Sequence, residues 1–392
     1  MHRWTDLAQV PAGFGPSVVT LGNFDGVHRG HRSVLTRMVT DARHAGAHAV
    51  AVTFAPHPAQ VHHPETAPPL LTGVTDRLEL LAETGLDAVL LLDYTLDFAR
   101  QTPEEFVVRY LVQGLAARTV VVGRDVRFGW GNAGDLATMT ELGRRHGFSV
   151  EVIEDQASEP EPAPGAAPDG VADDVARAAA EHLRHVADPL HRRWSSTWTR
   201  ELLATGRVAE AAEVLGRPHR MRGVVVRGDA RGRELGYPTA NLSPASAGMV
   251  PADGVYAGWL RVTHRPLPGV TGCTPEVDAV RAADATGRGG LVHRDDPAHR
   301  GVPHGEEAGR MPAAISVGTN PTFDGAERRV EAYVLDRDDL ELYDCEVLVE
   351  FVTRIRATLR FESVDELVAT MDGDVERVRA ALAQATAPVA GW

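Results

Sequence analysis

The spacing of apolar residues changes period once along the chain, and that change limits the available folds more than any other feature. From Val18 to Ile153, short apolar runs alternate with helical patterns: Val18–Leu21, Ala49–Phe54, Ala88–Leu92, Thr119–Gly123 and Phe148–Ile153 read as strands. One helix between them is punctuated by Thr102 as N-cap, Pro103 at its first position and Glu105 completing a capping box. Such alternation predicts a parallel sheet covered by helices on both faces, with ligands beyond the carboxyl ends of the strands. From Met221 the pattern is β alone. Arg222–Arg227, Val255–Val262, Ala313–Val317, Arg329–Leu335 and Val347–Thr353 are strand-like and loop-separated, which predicts an antiparallel barrel. A final helix follows, opened by Ser363-Val364-Asp365-Glu366 and running to about Ala383. Val364, Leu367, Val368, Met371, Val375, Val378 and Leu382 form its apolar stripe.

The 392 residues accordingly divide into an α/β domain over 1–217 and a β domain over 218–392, each carrying an insertion. Flexible insertions are expected at about 156–190 and 264–310. The first opens with a Pro-, Ala-, Gly- and acid-rich stretch, Ser158–Gly170, and continues into a weak helical stripe through Val171, Val175, Leu183, Val186 and Leu190. The second, His264–Arg310, is polar and has no period. Between the domains, Ser195-Ser196-Thr197 precedes two helical patterns, Trp198–Thr205 and Val208–Leu215.

Composition removes several function classes. The chain has no lysine, so all 40 of its Lys+Arg residues are arginine. A Walker A loop, a Schiff-base enzyme and a protein kinase each need a lysine, so any ATP site here is of another kind. Cys273 and Cys345 are too few for a disulfide framework or a cysteine-based zinc site, and a reducing cytoplasm is expected. No apolar run of about 18 residues is present to span a membrane, and Met1–Pro16 lacks the features of a signal peptide. A net charge of −14 disfavours attraction to nucleic acid or acidic lipid. Asparagine is scarce: Asn23, Asn132, Asn241 and Asn320 all lie in Gly- or Pro-flanked stretches.

Gly22-Asn23-Phe24-Asp25-Gly26-Val27-His28-Arg29-Gly30-His31 follows the first strand and leads into the helical pattern Ser33–Arg43. The first backbone N–H groups of a helix have no internal partner, and its dipole adds partial positive charge there, so a phosphate fits at this turn. His28 and His31 are three apart and project from one face, with Gly30 removing bulk between them. Two histidines so spaced also suit a metal or a solvated face, although no third histidine or cysteine at ligand spacing accompanies them. The pattern resembles the HxGH signature of nucleotidylyltransferases. The fuller GNFDGVHRGH wording is similar to the FMN adenylyltransferase half of the bacterial bifunctional riboflavin kinase/FAD synthetase family.

A second phrase, Arg231-Gly232-Arg233-Glu234-Leu235-Gly236-Tyr237-Pro238-Thr239-Ala240-Asn241, follows the strand ending near Gly228. Gly228, Gly232 and Gly236 permit a backbone to close over phosphates, while Thr239 and Asn241 offer oxygens to a hard cation; hairpin turns use the same glycines. GRELGYPTANL resembles the riboflavin kinase signature, which implies that Pro238, Thr239 and Asn241 lie at the Mg-ATP site, the last two as its ligands. Phosphorylating an alcohol also requires a proton acceptor. Alternation sets Glu331 opposite in facing to Val330 and Ala332, as on an ordinary solvated face. SVGTNPTF at Ser316–Phe323 followed by VEAYVLD matches the same family, whose catalytic glutamate then falls on Glu331.

The resemblance covers about residues 16–155, 193–263 and 311–384. It implies a Rossmann-like nucleotidylyltransferase domain with a parallel sheet, followed by an antiparallel β-barrel riboflavin kinase domain with a terminal helix. It further implies two consecutive steps using Mg²⁺ with ATP, riboflavin to FMN and FMN to FAD with release of pyrophosphate. His28, His31 and Arg200 would stabilise adenylyl transfer. Ser195, Ser196 and Thr197 resemble the family's SSTxxR segment, which closes over ATP, and by position they also suit a helix N-cap. Gly22, Asn23, Phe24, Asp25 and Gly30 would shape the nucleotide site, and Asp125 and Arg127 of the Gly123–Gly129 loop the flavin and nucleotide pocket, with His57 lining it. Trp194, Thr199, Val126 and Asn132 depart from the family's usual wording. Two alternatives stay open at this level: a riboflavin kinase with a weak or inactive adenylyltransferase domain, and a flavin- or nucleotide-sensing module. The expected partners are small molecules alone, riboflavin, FMN and ATP, with the chain a monomer or weak homo-oligomer.

Overall fold

The computed structural model describes residues 1–153, 194–228, 232, 235–265, 309–319 and 328–386. The helix expected from Val171, the whole of the first expected insertion and all but the edges of the second lie outside the described residues, as does Asn320. By packing, the chain forms two compact units. One comprises Met1–Pro68 and Glu79–Trp198, the other Pro69–Leu78 and Thr199–Trp392.

In chain order the first half contains β1 (His2–Trp4), β2 (Ser17–Leu21), α1 (Arg29–His44), β3 (His48–Ala55), α2 (Pro58–His62), α3 (Val74–Ala82), β4 (Ala88–Asp93), α4 (Pro103–Phe106), β5 (Ala117–Gly123), α5 (Leu136–His146) and β6 (Ser149–Ile153). The five strands expected from periodicity are present. β1 is additional, and at three residues it is too short to show a period. Thr102 caps α4 as expected: its Oγ1 accepts from Glu105 N–H at 3.2 Å, and Glu105 Oε2 accepts from Thr102 N–H at 2.7 Å. The Thr102 backbone N–H, and then its hydroxyl at 2.9 Å, donate to the Glu105 carboxylate, favour its charged form and lower its pKa.

All six strands are parallel, in the order β1-β4-β3-β2-β5-β6. From β2 the chain steps to β3 and then β4, whereas from β5 it steps the opposite way to β6. Right-handed crossovers therefore put α1 and α5 on opposite faces. The order reverses between β2 and β5, which opens a crevice at their carboxyl ends. Val19, Val50, Val52, Leu90, Val120 and Val122 of the sheet are buried with Phe106, Leu111, Leu115, Met139 and Leu142. Each such side chain contributes roughly 1.5–3 kcal/mol by leaving water.

The second unit contains most of α6 (Ser196–Ala204), then α7 (Val208–Leu215), β7 (His219–Val226), β8 (Thr239–Leu242), β9 (Gly254–His264), β10 (Met311–Thr319), β11 (Arg328–Val334), β12 (Glu346–Arg356) and α8 (Val364–Thr386). The six strands close into a barrel in the order β10-β11-β8-β7-β12-β9. Along β10 and β11 the buried residues Ala313, Ile315, Val317, Val330, Ala332 and Val334 alternate with Ala314, Ser316, Glu331 and Tyr333, so the latter group faces outward. Val378 and Leu382 of α8 pack on this outer surface against Ala257 and Leu335, while Val364, counted in the expected stripe, is 59% exposed. α7 buries Val208, Ala211, Val214 and Leu215 and contacts β7 and β12, so packing groups it with the barrel although it precedes residue 217.

Candidate functional site

In the α/β unit the loop after β2 is strained. Phe24 (φ 48°) and Val27 (φ 40°) hold left-handed backbone, with Gly26 (φ 81°) between them. For a β-branched residue such as Val27 this conformation is costly, about 1–3 kcal/mol, and it persists only where its surroundings enforce it. Phe24, Asp25, Val27 and His28 are all buried, and Thr53 Oγ1 donates to Asn23 O at 3.3 Å. Gly22 N–H donates to Val52 O at 3.1 Å, joining the loop to β3.

His28 is the N-cap of α1 rather than its first residue: its Nδ1 accepts from His31 N–H at 3.3 Å. The two imidazoles stack with centroids 3.7 Å apart, and Phe24 sets its ring edge-on to His31 at 5.3 Å. Gly30 permits this arrangement, because a Cβ there would lie 3.1 Å from His28 Nδ1. His31 Nδ1 is buried without a hydrogen-bond partner, and burial lowers the His31 pKa to about 4. A neutral imidazole with an unused ring nitrogen, at a helix N-terminus, is equipped to meet an anion.

The segment expected to close over ATP begins beside this loop. Ser196 Oγ donates to Asp25 O at 2.8 Å, and Ser195 Oγ accepts from Trp198 N–H at 3.2 Å as an N-cap does. Thr197 is exposed. Arg200, in the barrel unit, donates from Nε to Pro69 O at 2.8 Å. His57 caps α2, with Nδ1 accepting from Ala59 N–H at 3.1 Å, and lies beyond the carboxyl end of β3. After β5, Val126 N–H returns to Gly123 O at 3.2 Å in a tight turn that leaves Asp125 and Arg127 exposed. The loops after β2, β3 and β5 thus lie at one edge of the sheet.

In the barrel unit, β8 and β11 pair with Asn241 opposite Glu331 and Thr239 opposite Tyr333. All four share the outer face. Thr239 Oγ1 donates to Glu331 Oε2 at 3.4 Å, and Asn241 Nδ2 lies 3.4 Å from Thr239 O and Oγ1. Gly228 makes room for this group, since a Cβ there would come within 2.5 Å of the Asn241 amide. Gly232 O accepts from Tyr237 N–H at 2.7 Å, Gly236 takes φ 87°, and Pro238 leads into β8. Hydroxyl, amide and carboxylate oxygens on adjoining rungs form a hard but sparse donor set. It suits a cation that keeps several waters and is shared with substrate phosphates.

Thr239 and Glu331 open into a cavity of about 200 Å³ between the barrel wall and α8, lined also by Tyr333, Phe361, Met371 and Val375. Burial raises the Tyr333 pKa. The cavity was not legible in the sequence. Leu367, Met371 and Val375 belong to the apolar stripe, where they read as core, and Tyr333 stands two residues from Glu331 on one strand face, which is the signal that could have found it.

Two family models match the chain, one described as FAD synthetase over residues 12–163 and one as riboflavin kinase over residues 215–382. The bifunctional riboflavin kinase/FMN adenylyltransferase of Escherichia coli K12 is 30% identical over 358 residues, covering 91% of this chain and 90% of that one. Its namesake in Listeria monocytogenes is 27% identical over 384 residues, covering 97% and 95%. A crystal structure of a macrolide-efflux protein from Streptococcus pneumoniae superposes with a TM-score of 0.68 at 26% identity, covering 96% of this chain and 98% of the other.

Proposed function

The chain belongs to the bifunctional riboflavin kinase/FMN adenylyltransferase family, and from that premise we propose how its own residues divide the two reactions. The C-terminal domain phosphorylates riboflavin to FMN, and the N-terminal domain adenylylates FMN to FAD. The domains are proposed to span 1–217 and 218–392.

In the kinase reaction Glu331 is the general base. It accepts the proton of the ribityl hydroxyl as that oxygen attacks the γ-phosphorus of ATP and ADP leaves. The 3.4 Å contact from Thr239 Oγ1 to Glu331 Oε2 carries this reading, because it puts the carboxylate and a phosphate-site hydroxyl at the same mouth of the cavity. The cavity receives the flavin ring, and Gly228, Gly232, Gly236 and Pro238 form the loop over the phosphates. Thr239 and Asn241 hold Mg²⁺ together with ATP; when bound, the ion neutralises charge on the phosphate oxygens.

In the adenylyl transfer the FMN phosphate is already ionised, so it attacks the α-phosphorus of ATP without a strong base, and pyrophosphate leaves. The residues need only stabilise charge. His28, His31 and Arg200 do so, Ser195, Ser196 and Thr197 donate to phosphate, and Gly22, Asn23, Phe24, Asp25 and Gly30 shape the nucleotide site. His57, Asp125 and Arg127 complete the pocket. We further propose that the enzyme works on small molecules in the cytoplasm, without nucleic acid or membrane, as a monomer or weak homo-oligomer; the acidic net charge of −14 disfavours attraction to nucleic acid or acidic lipid.

Glu331→Ala is expected to abolish FMN formation from riboflavin while leaving FAD formation from supplied FMN. Separating the two flavins over time in a coupled assay with riboflavin, Mg²⁺ and ATP reads both steps. Normal phosphorylation by that variant would sink the assignment of Glu331.

A further inference from the structure

The cavity between the barrel and α8 is held at its two ends by different forces. The C-terminal half of α8 is anchored by apolar packing, through Val378 and Leu382. Its N-terminal half supplies Leu367, Met371 and Val375 to the cavity, and polar contacts hold it there. Arg356 Nη2 reaches Asp374 Oδ2 at 2.7 Å, tying the helix to β12. The Tyr237 hydroxyl donates to Asp372 Oδ1, tying the helix to the loop that leads into Thr239.

Tyr237 joins three parts of the site. Its backbone N–H closes the glycine loop onto Gly232 O at 2.7 Å, and its ring sits edge-on to Tyr333 at 5.1 Å. Its hydroxyl reaches α8, and the residue is only 9% exposed. A shift of α8 away from the barrel must therefore either break this bond or pull the residue next to Pro238 and Thr239.

The geometry points to Tyr237 as a positioning residue for the kinase reaction: with Asp372 it forms a latch that sets the width of the flavin cavity and couples α8 to the phosphate-binding loop. The latch touches no reacting atom. It acts by presenting a preformed slot, so that binding a flavin does not require ordering the N-terminal half of α8 at the same time. This inference rests on the assignment of the cavity to the flavin ring.

The test is steady-state kinetics of both reactions on the full chain. Tyr237→Phe keeps the ring and removes the hydroxyl. It is expected to raise the KM for riboflavin about tenfold, the effect of one charge-assisted hydrogen bond in a half-open setting, with kcat moved by less than about threefold. Asp372→Ala should reproduce that change, Asp372→Asn, which keeps an acceptor, should restore most of it, and the double variant Tyr237→Phe with Asp372→Ala should be no worse than either single one. An unchanged denaturant midpoint of the barrel unit reports that the barrel of each variant is folded, and FAD formation from supplied FMN reports the same of the α/β unit. An unchanged riboflavin KM in Tyr237→Phe, a loss confined to kcat, or losses that add in the double variant would each overturn the latch. Met371→Trp, which fills the cavity, tests the premise separately: an unchanged riboflavin KM there removes the cavity assignment, whatever the latch variants do.

Discussion

His31 shows how little of a residue's chemistry its spacing reveals. An HxxH pair suits a metal, a phosphate or a solvated face, and only burial separates these outcomes. In the folded chain the His31 ring is stacked on His28 with its Nδ1 unpartnered, and burial disfavours its charged form. The unfolded chain takes up a proton at this residue near the ordinary pKa of 6.5, whereas the native imidazole resists until about 4. Stability from this site is therefore complete above pH 6.5 and lost as pH falls toward 4. Thermal unfolding followed at pH 7, 6, 5 and 4.5 should show a shallower decline for His31→Gln than for the parent chain. Equal slopes would mean that the ring titrates alike in both states. Gly30 serves the same stack by removing bulk, since a Cβ at this position would approach His28 Nδ1 to 3.1 Å.

At the scale of elements, strands and caps were the legible part. The Thr102 capping box and the five parallel strands follow from local chemistry and from apolar runs long enough to show a period. β1 and β8, of three and four residues, were not legible, and β8 lies within a motif whose composition reads as loop. The stripe of α8 was legible as a stripe but not as two surfaces, of which one packs on the barrel and the other lines a cavity. That division makes a prediction. Val378→Ala removes buried methyl groups from the anchoring half and should cost about 2 kcal/mol, lowering the denaturant midpoint of the barrel unit while FAD formation from FMN is retained. An unshifted midpoint would show that α8 is not anchored there.

Over the whole molecule, packing joins segments that the sequence keeps apart. Pro69–Leu78 lies among the α/β elements in chain order yet belongs to the barrel unit, where buried Asp76 meets Arg220 at 3.1 Å and Arg222 at 2.9 Å, with Arg222 also 2.9 Å from Glu346. Removing one member of a buried charged group leaves the others inadequately compensated. Asp76→Ala should accordingly cost about 3 kcal/mol, read as a lower denaturant midpoint of the barrel unit, and a neutral result would place Asp76 outside the network that holds the segment. The amino-acid sequence by itself determined the two architectures, the loops that follow the strands and the two motif phrases, because period, capping and turn chemistry act over a few neighbouring residues. Tertiary structure alone decided the stacking of His28 on His31, the meeting of Thr239 with Glu331, the cavity under α8 and the membership of residues 69–78. Those depend on which faces meet across the fold, and no local pattern carries that information.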